Sequence, residues 1–481
     1  MLLEVLRRLE MSPGLSQKPL IAIVGATGTG KSQVSHLPLR LTSLKLINVL
    51  YIQLAVTLAE RFNGEVINGD ALQMYDGLPI TTNKISLEER KGIPHHLLGC
   101  IKLDEEPWTV QQFRNRATKI IEEIRSRNKL PILVGGTHYY TQSLLFKDAV
   151  LTEVECGHVD HEKQKRQWPI LNASTEAMLE ELRRVDPIMA QRWHPKERRK
   201  IRRSLEIWLT TGRKASKVYD QQRQMTTRSH SEHDQSGGNP TGSTNSVEQR
   251  SDMESQSALH YDTLILWTHA NPDVLNTRLE KRVDAMVLDG LLSEVESMYK
   301  FLLDREQQGI NVDQTRGIWV AIGFKENLPY LMHGNDLESL KKEGIERTKV
   351  ATRQYAKRQV RWIKLRLQRA IASANSSHRF FLLDTADLTR WSQDVEEKAR
   401  DITEAFLCGS ALPKPESLSN AAKEVLVVTE GEPMAATYCE ACDKTLMSEG
   451  QWISHLKSKG HKSAVRPRID WRALYPKDNH K

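Results

Sequence analysis

The sequence predicts an α/β fold: a P-loop parallel sheet that carries an all-helical insertion domain and ends in a small cysteine- and histidine-bearing module. Three observations predict it. Short apolar runs ending in glycine, PLIAIVG (Pro19 to Gly25) and LPILVGG (Leu130 to Gly136), read as buried strands. Stretches of helical period such as WTVQQFRNRATKIIEEIRSR alternate with them, which is the pattern of a parallel sheet. Near the C-terminus, two cysteines and two histidines fall at a metal-ligand spacing.

The 481 residues suit roughly three domains of about 150 residues each. With 39% hydrophobic and 27% charged residues, a good part of the chain is expected to face solvent. Lys+Arg 69 against Asp+Glu 61 leaves +8, which suits a polyanionic partner. No uncharged apolar stretch approaches membrane-spanning length, so no membrane segment is expected. Five cysteines with a single CxxC are not a disulfide framework and fit a reducing compartment. Cys100, Cys156 and Cys408 read as ordinary thiols. MLLEVLRRLE is too charged for a secretory signal. It reads as a weak mitochondrial presequence or as an upstream start, with Met11 opening a second N-terminus.

Along the chain, residues 1–18 form an N-terminal extension and 19–170 the first part of the core. Residues 171–260 form a basic helical insertion domain, of which 221–257, rich in Ser, Gly, Gln, Asn and Thr, reads as disordered. The core resumes over 261–408, opening with the strand-like YDTLILWTH. A linker (409–435), the metal module (436–465) and a basic tail (466–481) complete the order. Two helical stretches are strongly basic. KERRKIRR (Lys196 to Arg203) carries Arg199 and Arg203, and Arg347 to Arg369 has nine Lys/Arg and no acid.

GATGTGKS (Gly25 to Ser32) fits G-x4-G-K-[ST] between a strand and a helix. Gly25, Gly28 and Gly30 let backbone amides converge on a phosphate, Lys31 adds a point charge, and the Ser32 hydroxyl suits Mg²⁺. In NGDALQMY, Asp70 falls at the carboxyl end of the second strand, where open α/β sheets bind ligands. It is either a capping or Mg²⁺-orienting acid or a general base. Arg278 and Arg282 share one helix face, and one of them is within reach of the phosphate loop unless the pair is simply solvated. Cys439-x2-Cys442-x12-His455-x5-His461 has the ligand types and spacing of a tetrahedral zinc site, with Trp452 and Leu456 as its small core. Basic residues in HLKSKGHK suit nucleic-acid phosphates.

Together these pieces resemble the tRNA dimethylallyltransferase (tRNA isopentenyltransferase) family, eukaryotic type. The resemblance runs from about Pro19 to Asp384. It rests on GATGTGKS, NGDALQMYDGLPITTNK, GIPHHLLG, PILVGGTHYY, VDPIMAQRWHPKERRKIRRSLEIWLTTGRKAS, RLEKRVDAM, GIWVAIGFKE and ATRQYAKRQVRWIK, in register. It implies transfer of the dimethylallyl group of dimethylallyl diphosphate to N6 of the adenosine 3′ to the anticodon in tRNA. By motif position it makes Asp70 the general base, sets Thr27 and Arg282 on the diphosphate, and puts Gln73 beside the target adenine. Lys31 and Ser32 complete the phosphate and Mg²⁺ site, while Arg199, Arg203, Arg353, Lys357 and Arg358 grip tRNA phosphates. Zn²⁺ is structural. A monomer in cytoplasm and nucleus is expected, with the mitochondrion as an alternative destination.

One segment departs from the family pattern. GKSQ is expected to run directly into LAVTLAERF, which sets Leu54, Leu58 and Phe62 in a helical stripe. Here the 20 residues Val34 to Gln53 intervene, with Pro38 near their start. Their ends can be encoded as an intron's boundaries, so the segment reads as a retained intron whose removal improves stability and activity. Two competing functions stand beside the transferase: a P-loop kinase or NTPase acting on ATP, and a non-catalytic RNA-binding protein with a decayed P-loop.

Overall fold

A computed structural model describes residues 18–29, 50–146, 168–195, 197–220, 259–333, 338–427, 437–442, 444–446 and 449–465. The readings of residues 1–17, 221–257 and 466–481, and most of Val34 to Gln53, lie outside the described residues. Two compact units emerge, Met1–Val150 with Ser243–Val428, and Leu151–Gly242 with Thr429–Lys481.

In the first unit, six strands form one sheet: β1 (Pro19–Gly25), β2 (Gly64–Asn68), β3 (His95–His96), β4 (Leu130–Gly135), β5 (Asp262–His269) and β6 (Phe380–Asp384). Their order is β3-β2-β4-β1-β5-β6, and every pairing is parallel. This bears out the predicted parallel sheet and the three strands read from the apolar runs. Side chains alternate along β1. Leu20, Ala22 and Val24 enter one core and Ile21 and Ile23 the other, so the strand is apolar throughout because both of its faces are covered.

In chain order the helices are α1 (Leu50–Phe62), α2 (Val110–Ser126), α3 (His138–Leu145), α4 (Thr175–Val185), α5 (Pro187–Arg192), α6 (Arg198–Thr211), α7 (Pro272–Leu288), α8 (Leu291–Gln307), α9 (Phe324–Met332) and α10 (Glu338–Trp362). After the short helical segment Gln368–Ser373 they continue with α11 (Lys398–Leu407), α12 (Asn420–Val425), α13 (Glu449–Lys457) and α14 (Lys459–Val465). Helix α2 starts at a reciprocal cap: the Gln112 amide donates to Thr109 Oγ1 (3.2 Å), and the Thr109 amide donates to Gln112 Oε1 (2.8 Å). Its Phe113, Ala117, Ile120, Ile121 and Ile124 then fall on one buried stripe.

Helix α1 carries the predicted stripe, with Leu54 and Leu58 fully buried and Phe62 packed against the same core. It begins at Leu50, so the last four residues of the intervening segment supply its first turn, and Ile52 is buried with the stripe. A second difference concerns the expected linker 409–435. The chain packs on the core as far as Leu426: Ala422 is fully buried, Gln368 Nε2 donates to the Leu426 carbonyl (2.8 Å), and Lys398 Nζ donates to that of Leu418 (3.2 Å). The apolar Leu418, Ala421, Ala422, Val425 and Leu426 explain this, spaced through a Ser- and Pro-rich composition that masks them.

The second unit has its own core, built from α4, α5 and α6 around Met178, Leu182, Met189, Ile201 and Leu205. Trp168 and Ile170 pack on this core, so the helical domain starts a few residues before the expected 171. Asp186 is buried and spans two segments, accepting the Met189 amide at 3.4 Å and the Ser216 amide at 2.8 Å. The finger strands β7 (Thr437–Cys439) and β8 (Lys444–Leu446) pair antiparallel. Among the described residues, no helix is long and apolar enough to cross a membrane.

Candidate active site and zinc centre

Strand β1 stands at the middle of the sheet with β4 on one side and β5 on the other. The chain leaves β1 toward β2 and leaves β4 toward β5, so the strand order reverses between these two neighbours. Ligands of open α/β sheets bind outside the carboxyl ends at such a point. The loops after β1, β4 and β2 all open there.

The loop after β1 is fixed at Thr27 from two sides. Its amide donates to Gln359 Oε1 of α10 (2.9 Å), and its hydroxyl accepts a hydrogen bond from Arg282 Nη1 of α7. Gly28 follows with φ +82°, and a Cβ there would run into Leu279. Thr29 closes the turn, its amide and hydroxyl both donating to the Ala26 carbonyl (3.2 and 2.8 Å). Beneath lies a small apolar cluster of Ala26, Ala270, Leu275, Leu279 and Ala356, so α7 and α10 both pack on the loop.

Asp70 follows β2. The Gly69 amide donates to the Val134 carbonyl at 2.6 Å, and a Cβ on Gly135 would collide with the Gly69 backbone. Glycine at 135 therefore permits the loop to lie on β4. The Ala71 amide donates to Thr137 Oγ1 (3.0 Å), and the Leu72 amide to Asp70 Oδ1 (3.0 Å). Burial pushes the Asp70 carboxyl up from the ordinary aspartate value, opposed by the Leu72 and Gln73 amides and by the Arg282 charge. Arg282 thus touches Thr27 and acts electrostatically on Asp70.

The site residues predicted from the sequence divide into groups. Thr27, Asp70 and Arg282 come together, with Gly25 ending β1 and Gly28 in the loop. Gly30, Lys31 and Ser32 lie outside the described residues. Both arginines of α7 are only 8% exposed, so the pair is not a solvated face; Arg278 donates instead to the Ala386 carbonyl (2.8 Å). Gln73 is buried, its Nε2 donating to the Asn83 carbonyl (3.1 Å). Lys357 and Arg358 are exposed on α10, while Arg353 pairs with Glu280 (2.6 Å). Arg199 and Arg203 lie exposed on α6 in the second unit. Thr137, Gln359 and the buried His138 also belong to the site's surroundings, and no local sequence signal assigns any of them a role. His138 stacks on Trp362, and burial lowers its pKa to about 3.

In the finger, the ligand atoms of Cys439, Cys442, His455 and His461 lie within 4.8 Å of one another. Nδ1 of His461 is 3.5 Å from each sulfur. Zn–S and Zn–N bonds of about 2.3 and 2.0 Å at a tetrahedral angle give an S···N edge of about 3.5 Å, so the four residues fit a structural zinc ion. Trp452 is half-buried beside them, whereas Leu456, one turn further along α13, is 37% exposed and contributes less to that core than expected.

A model of IPP transferases matches residues 73–366, and one of C2H2-type zinc fingers matches residues 437–461. A tRNA dimethylallyltransferase from Schizosaccharomyces pombe is 37% identical over 467 residues, spanning 93% of this chain and 95% of that one.

The chain belongs to the IPP transferase family.

The human tRNA dimethylallyltransferase is 33% identical over 458 residues, covering 94% of this chain and 86% of its own. A solved eukaryotic dimethylallyltransferase acting on tRNA matches with a TM-score of 0.68 at 31% identity, over 95% of this chain and 98% of that one.

Proposed function

We propose that this chain transfers the dimethylallyl group of dimethylallyl diphosphate to N6 of the adenosine 3′ to the anticodon of tRNA, releasing diphosphate. The observation that carries this reading is the meeting of Thr27, Arg282 and Asp70 at the strand-order reversal of a chain in this family. An exocyclic adenine amine is a weak nucleophile because its lone pair is delocalised into the ring. As N6 bonds to C1 of the dimethylallyl group and the C1–O bond breaks, the amine proton passes to the Asp70 carboxylate. Burial, which raises the affinity of that carboxylate for a proton, supports the assignment. The leaving diphosphate gathers negative charge, which Arg282 and the loop amides are suited to stabilise. By the GKS wording, Lys31 would add a positive charge and Ser32 would hold a Mg²⁺ ion that neutralises the diphosphate.

The target base must leave the anticodon stack to meet Asp70. Exposed Lys357 and Arg358 on α10, and Arg199 and Arg203 on α6, supply cations for tRNA phosphates. We further propose that the chain acts as a monomer. The test incubates the chain and tRNA with radiolabelled dimethylallyl diphosphate, and separately with labelled ATP. Label recovered in N6-isopentenyladenosine is expected; turnover of ATP alone would replace this reading with the kinase one.

A further inference from the structure

We infer that Gln359 is a positioning residue that holds the phosphate loop in register with the loop after β4, from the same helical turn that faces tRNA. Its side chain is 5% exposed, and both ends of its amide are engaged. Oε1 accepts the Thr27 amide at 2.9 Å, 332 positions away, and Nε2 donates to the Gly136 carbonyl at 2.9 Å, 223 positions away. Only one orientation of the amide satisfies both. A flip would set donor against donor at Thr27 and carbonyl against carbonyl at Gly136.

Three consequences follow from that one side chain. The Thr27 amide is committed to the protein, so the loop starts from a fixed point before any phosphate arrives. The Thr27 hydroxyl is thereby kept within reach of Arg282. The loop after β4, whose Thr137 receives the Ala71 amide next to Asp70, is tied to the same point. One turn earlier on α10, Ala356 packs with Ala26 and Leu279 under the loop. Lys357, Arg358 and Arg361 stand exposed on the same stretch of helix. The turn that meets RNA phosphates in the proposed function is therefore keyed on its inner side to the loop that meets diphosphate. The inference rests on that proposed function for the RNA half and on geometry alone for the loop half.

Two variants of the full chain test it, Gln359→Leu and Gln359→Glu. In Gln359→Leu, amide exchange in the peptide covering residues 19–29 is expected to quicken by about 10-fold. Single-turnover transfer is expected to fall by roughly 10- to 100-fold while tRNA affinity stays within about two-fold. Gln359→Glu separates positioning from space-filling. A protonated glutamic acid offers one donor and one acceptor, as glutamine does, whereas the carboxylate opposes the Gly136 carbonyl. The ratio of its transfer rate to that of the unaltered chain is expected to rise as pH falls from about 8 to about 6. Unchanged exchange in Gln359→Leu, or a flat ratio in Gln359→Glu, would overturn the inference. If the unaltered chain transfers nothing, the exchange measurement still decides the loop half, and only the proposed transferase function fails.

Discussion

Arg282 donates a hydrogen bond to the hydroxyl of Thr27, 255 positions earlier in the chain, and its charge also lowers the proton affinity of Asp70. One buried guanidinium thus serves both the diphosphate side and the proton side of the site. Replacing it by Gln is expected to cut single-turnover transfer by roughly 10²–10³-fold. Thr27→Val added to that variant should cost little more, because the two groups act as a pair. The acid limb of the pH–rate profile should also move upward, since Asp70 loses the charge that lowers it. Additive losses in the double variant would break the pairing.

Asp70→Asn keeps the side chain's size and removes the proton acceptor. Turnover is expected to drop by roughly 10²–10⁴-fold, with tRNA affinity within a few-fold. Quench-flow transfer assays beside a tRNA gel shift make the comparison. Near-normal turnover would reassign the base.

Much of this site was legible in the sequence because glycine-bounded apolar runs mark strand ends, and strand ends are where parallel sheets bind ligands. GATGTGKS and NGDALQMY lie directly after such runs, so Asp70 could be read with chemistry attached, whereas Thr27 took its role only from the family resemblance. Arg282 was legible as half of an i, i+4 pair, although its burial was not, since a basic pair on a helix ordinarily faces water. Gln359 could not be read in this way. A glutamine inside a basic helix has no local signature, and its two partners lie 332 and 223 positions away. The packed stretch before Val427 was hidden by its Ser and Pro content, with only a sparse apolar spacing to betray it.

That packed stretch decides where the finger can be removed. Truncation after Val427 is expected to leave the melting temperature within a few degrees, weaken tRNA binding and flatten its salt dependence. Truncation after Gly409 strips buried Ala422 and its neighbours from the core and should lower the melting temperature as well. Chelation of zinc from the full chain should reproduce the first result, not the second. Equal tRNA affinity with and without the finger would assign it to another task.

Acid should weaken the fold in two steps. His138 and His269 are held neutral by burial, at about 3 and about 4 against an ordinary 6.5, so the unfolded chain binds their protons first. Their stability is complete above about 6.5 and is lost as pH falls below it. Glu65 is buried among Lys129, His96 and Arg127, whose hydrogen bonds and charges outweigh its desolvation and hold it at about 2, below the ordinary 4.5. Its contribution is present above about 4.5 and fades between 4.5 and 2. Melting temperature against pH should show both phases, with His138→Phe flattening the upper one and Glu65→Gln the lower. A curve unchanged by either variant would remove these groups from the account.

Deleting Val34 to Gln53 joins Gly30–Gln33 directly to Leu54, so the GKSQ turn takes the place of Leu50–Gln53 at the start of α1. That arrangement sets the helix N-terminus behind the phosphate loop. Transfer is expected to rise by at least about 10-fold. The gain in stability expected from sequence is set against the loss of buried Ile52, about 1.5–3 kcal/mol, so the melting temperature should change less than the rate. Equal transfer by both chains would make the segment an authentic, tolerated insertion.

The position of β1 also bears on how the chain is made. This strand emerges first among the six, yet it lies at the centre of the sheet and pairs on one side with β5, Leu20 opposite Thr263. Its second neighbour is therefore missing until the entire helical insertion has left the ribosome, with an independent core already available to α4, α5 and α6. For that interval a strand that is apolar on both faces has one open edge, the kind of edge that pairs with the wrong chain. Synthesis should accordingly depend on chaperones until residue 269 appears, and nascent chains stalled before β5 should aggregate where those stalled after β6 do not.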